Sequence, residues 1–256
     1  MPNSIIYEQP LTERIRLFMR YEQLMHRFKA TTNNLSMQDA HSATLTLLEL
    51  YALTSRIDLR ADVIREIKRI IANLEKLNSV KNINQERRGS IIDKLSEEMD
   101  KLHTSSGPLG GHLKEHELFN MLRQRSSVPG GINSFDLPQY HRWLCNPAEQ
   151  RQQQLLNWIM PYESLNQPIN LLLTLIRESS GRKMFVAKQG FFQQMLDPRH
   201  PHLMLRIWLP ENNSLYPEVS SGKHRFNIRF LELDDLATRP QQTLEDVSFA
   251  FMCCSL

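Results

Sequence analysis

The chain has 256 residues, 41% of them hydrophobic and 23% charged. That composition excludes disordered, collagen-like and fibrous proteins, and the length allows one large domain or two modest ones, each able to bury a core. Lysine and arginine exceed aspartate and glutamate by 31 − 28 = +3, an excess too small to imply nucleic acid by itself.

The opening segment MPNSIIYEQPL lacks the basic and apolar regions of a signal peptide, and no run in the chain is apolar for long enough to span a membrane. Its Ile5–Tyr7 stretch is extended and free to join a sheet. Helical periodicity then takes over. Thr12 is a candidate N-cap ahead of Ile15, Phe18, Met25 and Phe28. Helices are predicted over 37–54, over 60–77 on a stripe of Ile64, Ile67, Ile71, Leu74 and Leu77, and over 84–103 on Ile92, Leu95, Met99 and Leu102. Narrow stripes flanked by charge pack as antiparallel bundle hairpins. After the break SSGPLGG at 105–111, the pattern predicts a short helix over 113–125 and further helices over 139–146, 148–160 and 164–179, the last leucine-rich and central. Neither glycine-rich stretch, 107–111 nor 130–131, has the form of a phosphate-binding loop.

Beyond Gly181 the period becomes two. Alternation runs through Leu203–Leu209, Arg225–Phe230 and Val247–Cys253, with a fourth strand predicted over 183–193. Turn signals at Asp197-Pro198, at 210–213 and at 220–222 suit antiparallel hairpins rather than parallel crossovers. The expected fold class is α+β. A helical domain takes 12–125 and 139–180, and an antiparallel β domain takes 1–11, 126–138 and 181–256. The three cysteines, Cys145, Cys253 and Cys254, have no framework spacing, which fits a reducing compartment and free thiols; the expected location is cytoplasmic. Adjacent in a strand, Cys253 and Cys254 are expected as edge or core filler rather than as a redox pair.

Few motifs carry chemistry. His112-Leu-Lys-Glu-His116 fits the inverted zinc-protease pattern H-x-x-E-H. Catalytic zinc needs a third protein ligand, and no supporting motif supplies one. The alternative is two exposed histidines opening a short helix. His200 and His202 fall in a turn between strands. No serine sits in a G-x-S-x-G elbow. The expectation is a protein with no catalytic residues, no metal and no cofactor.

The strongest local feature is Lys223-His-Arg-Phe-Asn-Ile-Arg-Phe230. Period two places Lys223, Arg225, Asn227 and Arg229 on one face, and His224, Phe226, Ile228 and Phe230 on a core face. Residues 181–230 hold eight Lys/Arg against three Asp/Glu, whereas 231–256 hold one Arg against five acids. Guanidinium forks on one strand face suit the carboxylates of a partner. A solvated strand neutralised by its acidic neighbour fits the spacing equally well. A nucleic-acid-binding module using the basic strand 223–230 is a further alternative, weakened by the near-neutral total charge and the lack of a binding motif.

Three further segments decide between these. They are Arg123-Gln-Arg-Ser-Ser-Val-Pro-Gly-Gly-Ile-Asn-Ser-Phe-Asp-Leu-Pro138, Leu215-Tyr-Pro-Glu-Val-Ser220, and the opening Tyr7-Glu-Gln-Pro-Leu-Thr-Glu followed by Arg20. With the basic strand and the terminal Cys253-Cys254, they resemble the ZapD family of bacterial cell-division proteins from end to end. The resemblance implies a cytoplasmic, non-enzymatic homodimer at the midcell division ring. It implies binding to the C-terminal tail of FtsZ, cross-linking of FtsZ filaments into bundles and stabilisation of the ring, without nucleic acid or membrane as partner. The family's tail-binding arginines fall on Arg225 and Arg229, and a helical-domain arginine of the same group falls on Arg56. Lys223 and His224 join them by adjacency and charge. Positions tied to bundling fall on Arg20 and His141. Another basic position of that group falls on Glu117, an acid here.

Overall fold

The computed structural model describes residues 4–32, 36–76, 84–104, 107–232 and 237–256. The chain divides into two compact units. One comprises Met1–Arg16 with Leu173–Leu256, and the other comprises Leu17–Leu172. The helical and antiparallel halves of an α+β fold are both present.

Helix α1 (Glu13–Thr32), which belongs to the second unit from Leu17 onward, starts behind Thr12, whose hydroxyl accepts from the Ile15 N–H at 3.3 Å. Helix α2 (Met37–Thr54) is capped by Ser36, which accepts from the Asp39 N–H at 3.0 Å. Then follow α3 (Leu59–Lys76) and α4 (Gln85–Thr104), which pack on each other. The buried stripe of α3 is Leu59, Val63, Ile67 and Ile70, with Glu66 among them, so the helix is turned from the expected stripe. Ile64, Ile71 and Leu74 are only half buried, and Leu77 lies outside the described residues.

The predicted helix over 113–125 is two elements. A single 3-10 turn, Gly111–Glu115, ends at His116, whose φ of −92° and ψ of 107° break the chain direction before α5 (Glu117–Arg125). Helices α6 (Pro138–Leu144) and α7 (Ala148–Glu163) follow, and α8 (Asn166–Arg177) begins in this unit and ends in the first, to which Leu173–Arg177 belong. Helix α7 runs through Pro161 rather than stopping at 160, because a proline in the last turn forfeits few helical hydrogen bonds. Rings line the interior of this unit in sequence: Tyr51 on Phe119, Phe119 on Trp158, Trp158 on Trp143 and Trp143 on Tyr140, at 5.4–5.9 Å between centroids. Residues 126–138, expected in the β domain, lie in this unit, where 126–137 form the turns between α5 and α6 and Pro138 opens α6. The Val128–Gly131 turn is closed by Gly131 N–H donating to the Val128 carbonyl.

The first unit is two antiparallel sheets, ordered β1-β4-β7-β2 and β3-β6-β5. The strands are β1 (Ser4–Pro10), β2 (Lys183–Ala187), β3 (Phe191–Met195), β4 (His202–Pro210), β5 (Leu215–Ser221), β6 (Arg225–Glu232) and β7 (Val247–Ser255). The stretch 183–193 is not one strand. Gln189 and Gly190 both have positive φ, 49° and 69°, the geometry of a two-residue hairpin turn. After this turn the chain changes sheets, β2 pairing with β7 and β3 with β6. Strand β5 was hidden by Pro217. Proline has no N–H for a ladder and is tolerated at sheet edges, and β5 is an edge. The inner faces share one core of Leu205, Ile207, Phe226, Ile228, Phe249 and their neighbours. Phe230 meets Phe249 at 4.9 Å and Phe226 meets Phe251 at 5.2 Å across the sandwich.

Strand β1, the expected extended segment, pairs with β4, and Glu8 is gripped there by two cations. Arg177 lies at 2.9 Å and Arg206 at 2.8 Å, all three side chains being at most 22% exposed. Cys254 is fully buried in β7, an interior strand. Burial pushes its thiol up to about 12, and that of Cys253 to about 11.

Candidate functional site: an arginine face on the three-stranded sheet

Strand β6 is the middle of its sheet, so its inner residues are locked in the core. Phe226, Ile228 and Phe230 are all fully buried. Alternation then forces Arg225, Asn227 and Arg229 outward, and both arginines are exposed. Lys223 and His224 precede the strand and are exposed as well. His224 therefore does not face the core, as alternation had suggested. The strand begins one residue later, and only the His224 backbone is used, its carbonyl accepting from the Leu196 N–H at 2.8 Å.

Arg225 and Arg229 are four residues apart, about 13 Å along the strand. Each has a direct cross-strand neighbour. Arg229 stands opposite Phe191 on β3 and Glu218 on β5, and Arg225 stands opposite Met195 on β3. Glu218 takes the Arg229 guanidinium at 2.7 Å, both side chains being about half exposed. Phe191 is 40% exposed and Met195 66%. The outer face therefore combines two cations with two exposed apolar side chains, a combination that fits an extended segment carrying carboxylates and apolar residues.

Sequence reasoning missed Phe191, Met195 and Glu218. The signal for the first two was Gly190: a glycine inside an alternating run marks a turn or bulge, and splitting the run there places Phe191, Gln193 and Met195 on one face.

The other candidates lie in the helical unit. Arg56 is exposed in the α2–α3 connection and lines a surface groove of about 490 Å³ with Ile57, Arg60, Ile64, Pro108 and Leu109. Arg20 is exposed on α1 and His141 on α6, where its Nε2 stands 3.9 Å from the Cys145 thiol. Glu117 opens α5, where a negative charge complements the helix dipole. The His112 and His116 pair does not share a helix. His112 lies in the 3-10 turn, and His116 sits edge-on to Trp158 at 5.0 Å. Burial lowers the His112 pKa below its ordinary value. Among the described residues no cluster of three or more His, Cys, Asp or Glu side chains is arranged to hold a metal ion, and no helix is long and apolar enough to cross a membrane.

Fold and site thus define a two-unit α+β protein whose most distinctive surface is a mixed basic and apolar sheet face. Residues 19–229 match the family described as "ZapD: Cell division protein". The cell division protein ZapD of Methylococcus capsulatus is 35% identical over 257 residues, covering 100% of both chains. That of Chromobacterium violaceum is 34% identical over 98% of this chain and 99% of its own. That of Coxiella burnetii is 32% identical over 99% and 98%. The chain belongs to the ZapD family of cell division proteins.

Proposed function

We propose that this protein acts without catalysis as a homodimeric cross-linker of FtsZ filaments at the midcell division ring. The FtsZ tail is flexible and carries carboxylates and apolar side chains. On this reading Arg225 and Arg229 take the carboxylates, Phe191 and Met195 take the apolar groups, and Lys223 and His224 add local charge. Arg56, on the helical unit, is a further tail-binding position by the family resemblance, and Arg20 and His141 serve bundling. The observation that carries the reading is the pairing of each β6 arginine with an exposed apolar neighbour on β3. A single contact of this kind is weak, but a dimer engaging an array of tails gains by avidity, so bundling requires two copies. A phosphate backbone would leave Phe191 and Met195 without a role, and Glu218 would repel it.

The test is co-sedimentation with GTP-assembled FtsZ, with and without its C-terminal tail. Pelleting and bundling with the full-length form alone supports the reading; pelleting with neither form overturns it. Arg225→Glu is expected to abolish tail binding while circular dichroism and the dimer are unchanged, because the side chain is exposed. Affinity falls as salt rises if exposed ion pairs dominate. A salt-independent affinity removes the arginines as the main contact.

A further inference from the structure

Alternation gives the four-stranded sheet β1-β4-β7-β2 two faces. Tyr7, Phe185, Ile207, Leu209, Phe249 and Phe251 pack in or against the sandwich core, so Ile6, Met184, Val186, Trp208 and Ala250 point outward. The register sets four of these in one rung: Ile6 beside Trp208, Trp208 beside Ala250, and Ala250 beside Met184. The rung is apolar and crosses all four strands, about 14 Å. Its ends are open. Ile6 is 46% exposed and Met184 56%, and Val186, two residues further along β2, is 47% exposed.

The middle of the rung is covered by a cation. Trp208 is buried, and the Arg182 guanidinium lies 5.6 Å from its ring centre. Arg182 precedes β2, and β7 separates β2 from β4, so this side chain reaches across a whole strand to rest on the indole. Arg206 lies 5.0 Å from the same ring and is held by Glu8 at 2.8 Å. Arg182 and the adjacent Lys183 are both exposed, and neither has an ion-pair partner among the described residues. Glu8 is the sole acid among the outward-facing residues of these strands, and it is already gripped by Arg177 and Arg206. The face therefore joins open apolar side chains to cations that lack a counter-charge.

From this we infer that the outer face of the four-stranded sheet docks on an anionic lipid bilayer, as a peripheral contact and not a span. Ile6, Met184 and Val186 enter the boundary between headgroups and acyl chains. Arg182 leaves the indole and, with Lys183, meets headgroup phosphates. Trp208 is uncovered by that movement at the depth where tryptophan is favoured. Charge selects this occupant. A second copy related by a two-fold axis presents the same patch, which sets unpaired cations against unpaired cations, whereas a bilayer supplies anions and an apolar interior together. The contact lies on the other sheet from the arginine face and does not depend on the FtsZ reading. It also departs from the family resemblance, which implies no membrane partner.

The experiment floats the full chain with vesicles of phosphatidylglycerol and phosphatidylethanolamine, and separately with vesicles of phosphatidylcholine alone. Binding is expected to be about tenfold or more tighter on the anionic vesicles. The double variant Met184→Glu, Val186→Glu is expected to weaken it about tenfold or more, with the circular dichroism spectrum and Tm retained because both side chains are exposed. Arg182→Ala is expected to weaken it about fivefold. Brominated acyl chains are expected to quench tryptophan fluorescence in the wild-type protein but not in Trp208→Phe, whose remaining tryptophans, Trp143 and Trp158, belong to the helical unit. No preference for the anionic vesicles, or binding that survives the double variant, overturns the proposal. Binding that is lost in Arg225→Glu instead overturns it by assigning the lipid attraction to the arginine face. Self-association in sedimentation velocity that the double variant abolishes, without vesicle binding, overturns it in favour of a second copy.

Discussion

At the residue scale, the two arginines of the face are not equivalent. Arg229 is already engaged by Glu218 at 2.7 Å, whereas Arg225 stands opposite Met195. A carboxylate arriving at Arg229 competes with the protein's own for the guanidinium. Exposed pairs of this kind contribute about 0–1 kcal/mol, so Glu218→Gln is expected to tighten tail binding by up to about fivefold, read by fluorescence anisotropy of a labelled FtsZ C-terminal tail peptide. No change or a loss would mean that Glu218 orients Arg229 rather than competing for it. The cysteines give a second prediction. Burial raises both terminal thiols, to about 11 for Cys253 and about 12 for Cys254, while Cys145 is exposed. Mass spectrometry after brief iodoacetamide treatment at pH 8 is expected to show Cys145 modified first, the other two reacting only on unfolding. The sign of the linkage also follows. A folded pKa above the unfolded value of about 9 keeps the thiol's contribution intact below pH 9 and loses it as pH rises toward 11–12. Tyr140, pushed up to about 12 by burial, acts in the same direction. Tm is therefore expected to decline above about pH 9, and Cys254→Ala to flatten part of that decline.

At the scale of elements, two glycines make opposite predictions. Gly190 has a φ of 69°, and a Cβ there would stand 2.6 Å from the Thr243 carbonyl oxygen. Gly190→Ala is expected to cost about 1–3 kcal/mol, measured as a lower denaturant midpoint. Gly89 lies inside α4 with nothing within 4 Å of an added Cβ. Gly89→Ala is expected to stabilise by about 0.5–1 kcal/mol. These elements also mark what was legible in the sequence. Helix α2 runs over the predicted 37–54, because a Ser cap and a leucine-rich repeat agree there. The outward placement of Arg225 and Arg229 was legible too, since Phe226, Ile228 and Phe230 are unmistakable core residues. The partition of 183–195 between two sheets was not, because a hairpin that changes sheets keeps an alternating pattern on both sides of its turn. His224 failed for a related reason: periodicity gives a strand's phase but not its first residue. On α3 the charged Glu66 lies on the buried side, paired with Arg69 at 2.6 Å, and an apolar stripe counted from hydrophobic residues alone rotates away from it.

At the scale of the whole molecule, the Glu8 clamp ties the first strand of the sequence to the last third of the chain. Removing its charge leaves Arg177 and Arg206 facing each other in a poorly solvated site. Glu8→Ala is expected to destabilise the sandwich by about 1–3 kcal/mol, seen as a lower Tm. The sheet order β1-β4-β7-β2 has a consequence in time as well as in space. The strand nearest the start of the chain sits at the rim, and the final strand, Val247–Ser255, is inserted between β4 and β2. During synthesis the 17–172 unit emerges whole before the later strands and is expected to fold first. The sandwich must wait for its last nine residues. A nascent chain stopped before Val247 is then expected to resist protease only across its helical part. The arginine face, whose inner residues Phe226 and Phe230 pack on Phe251 and Phe249 of β7, is then expected to become a defined surface only once that strand has been made.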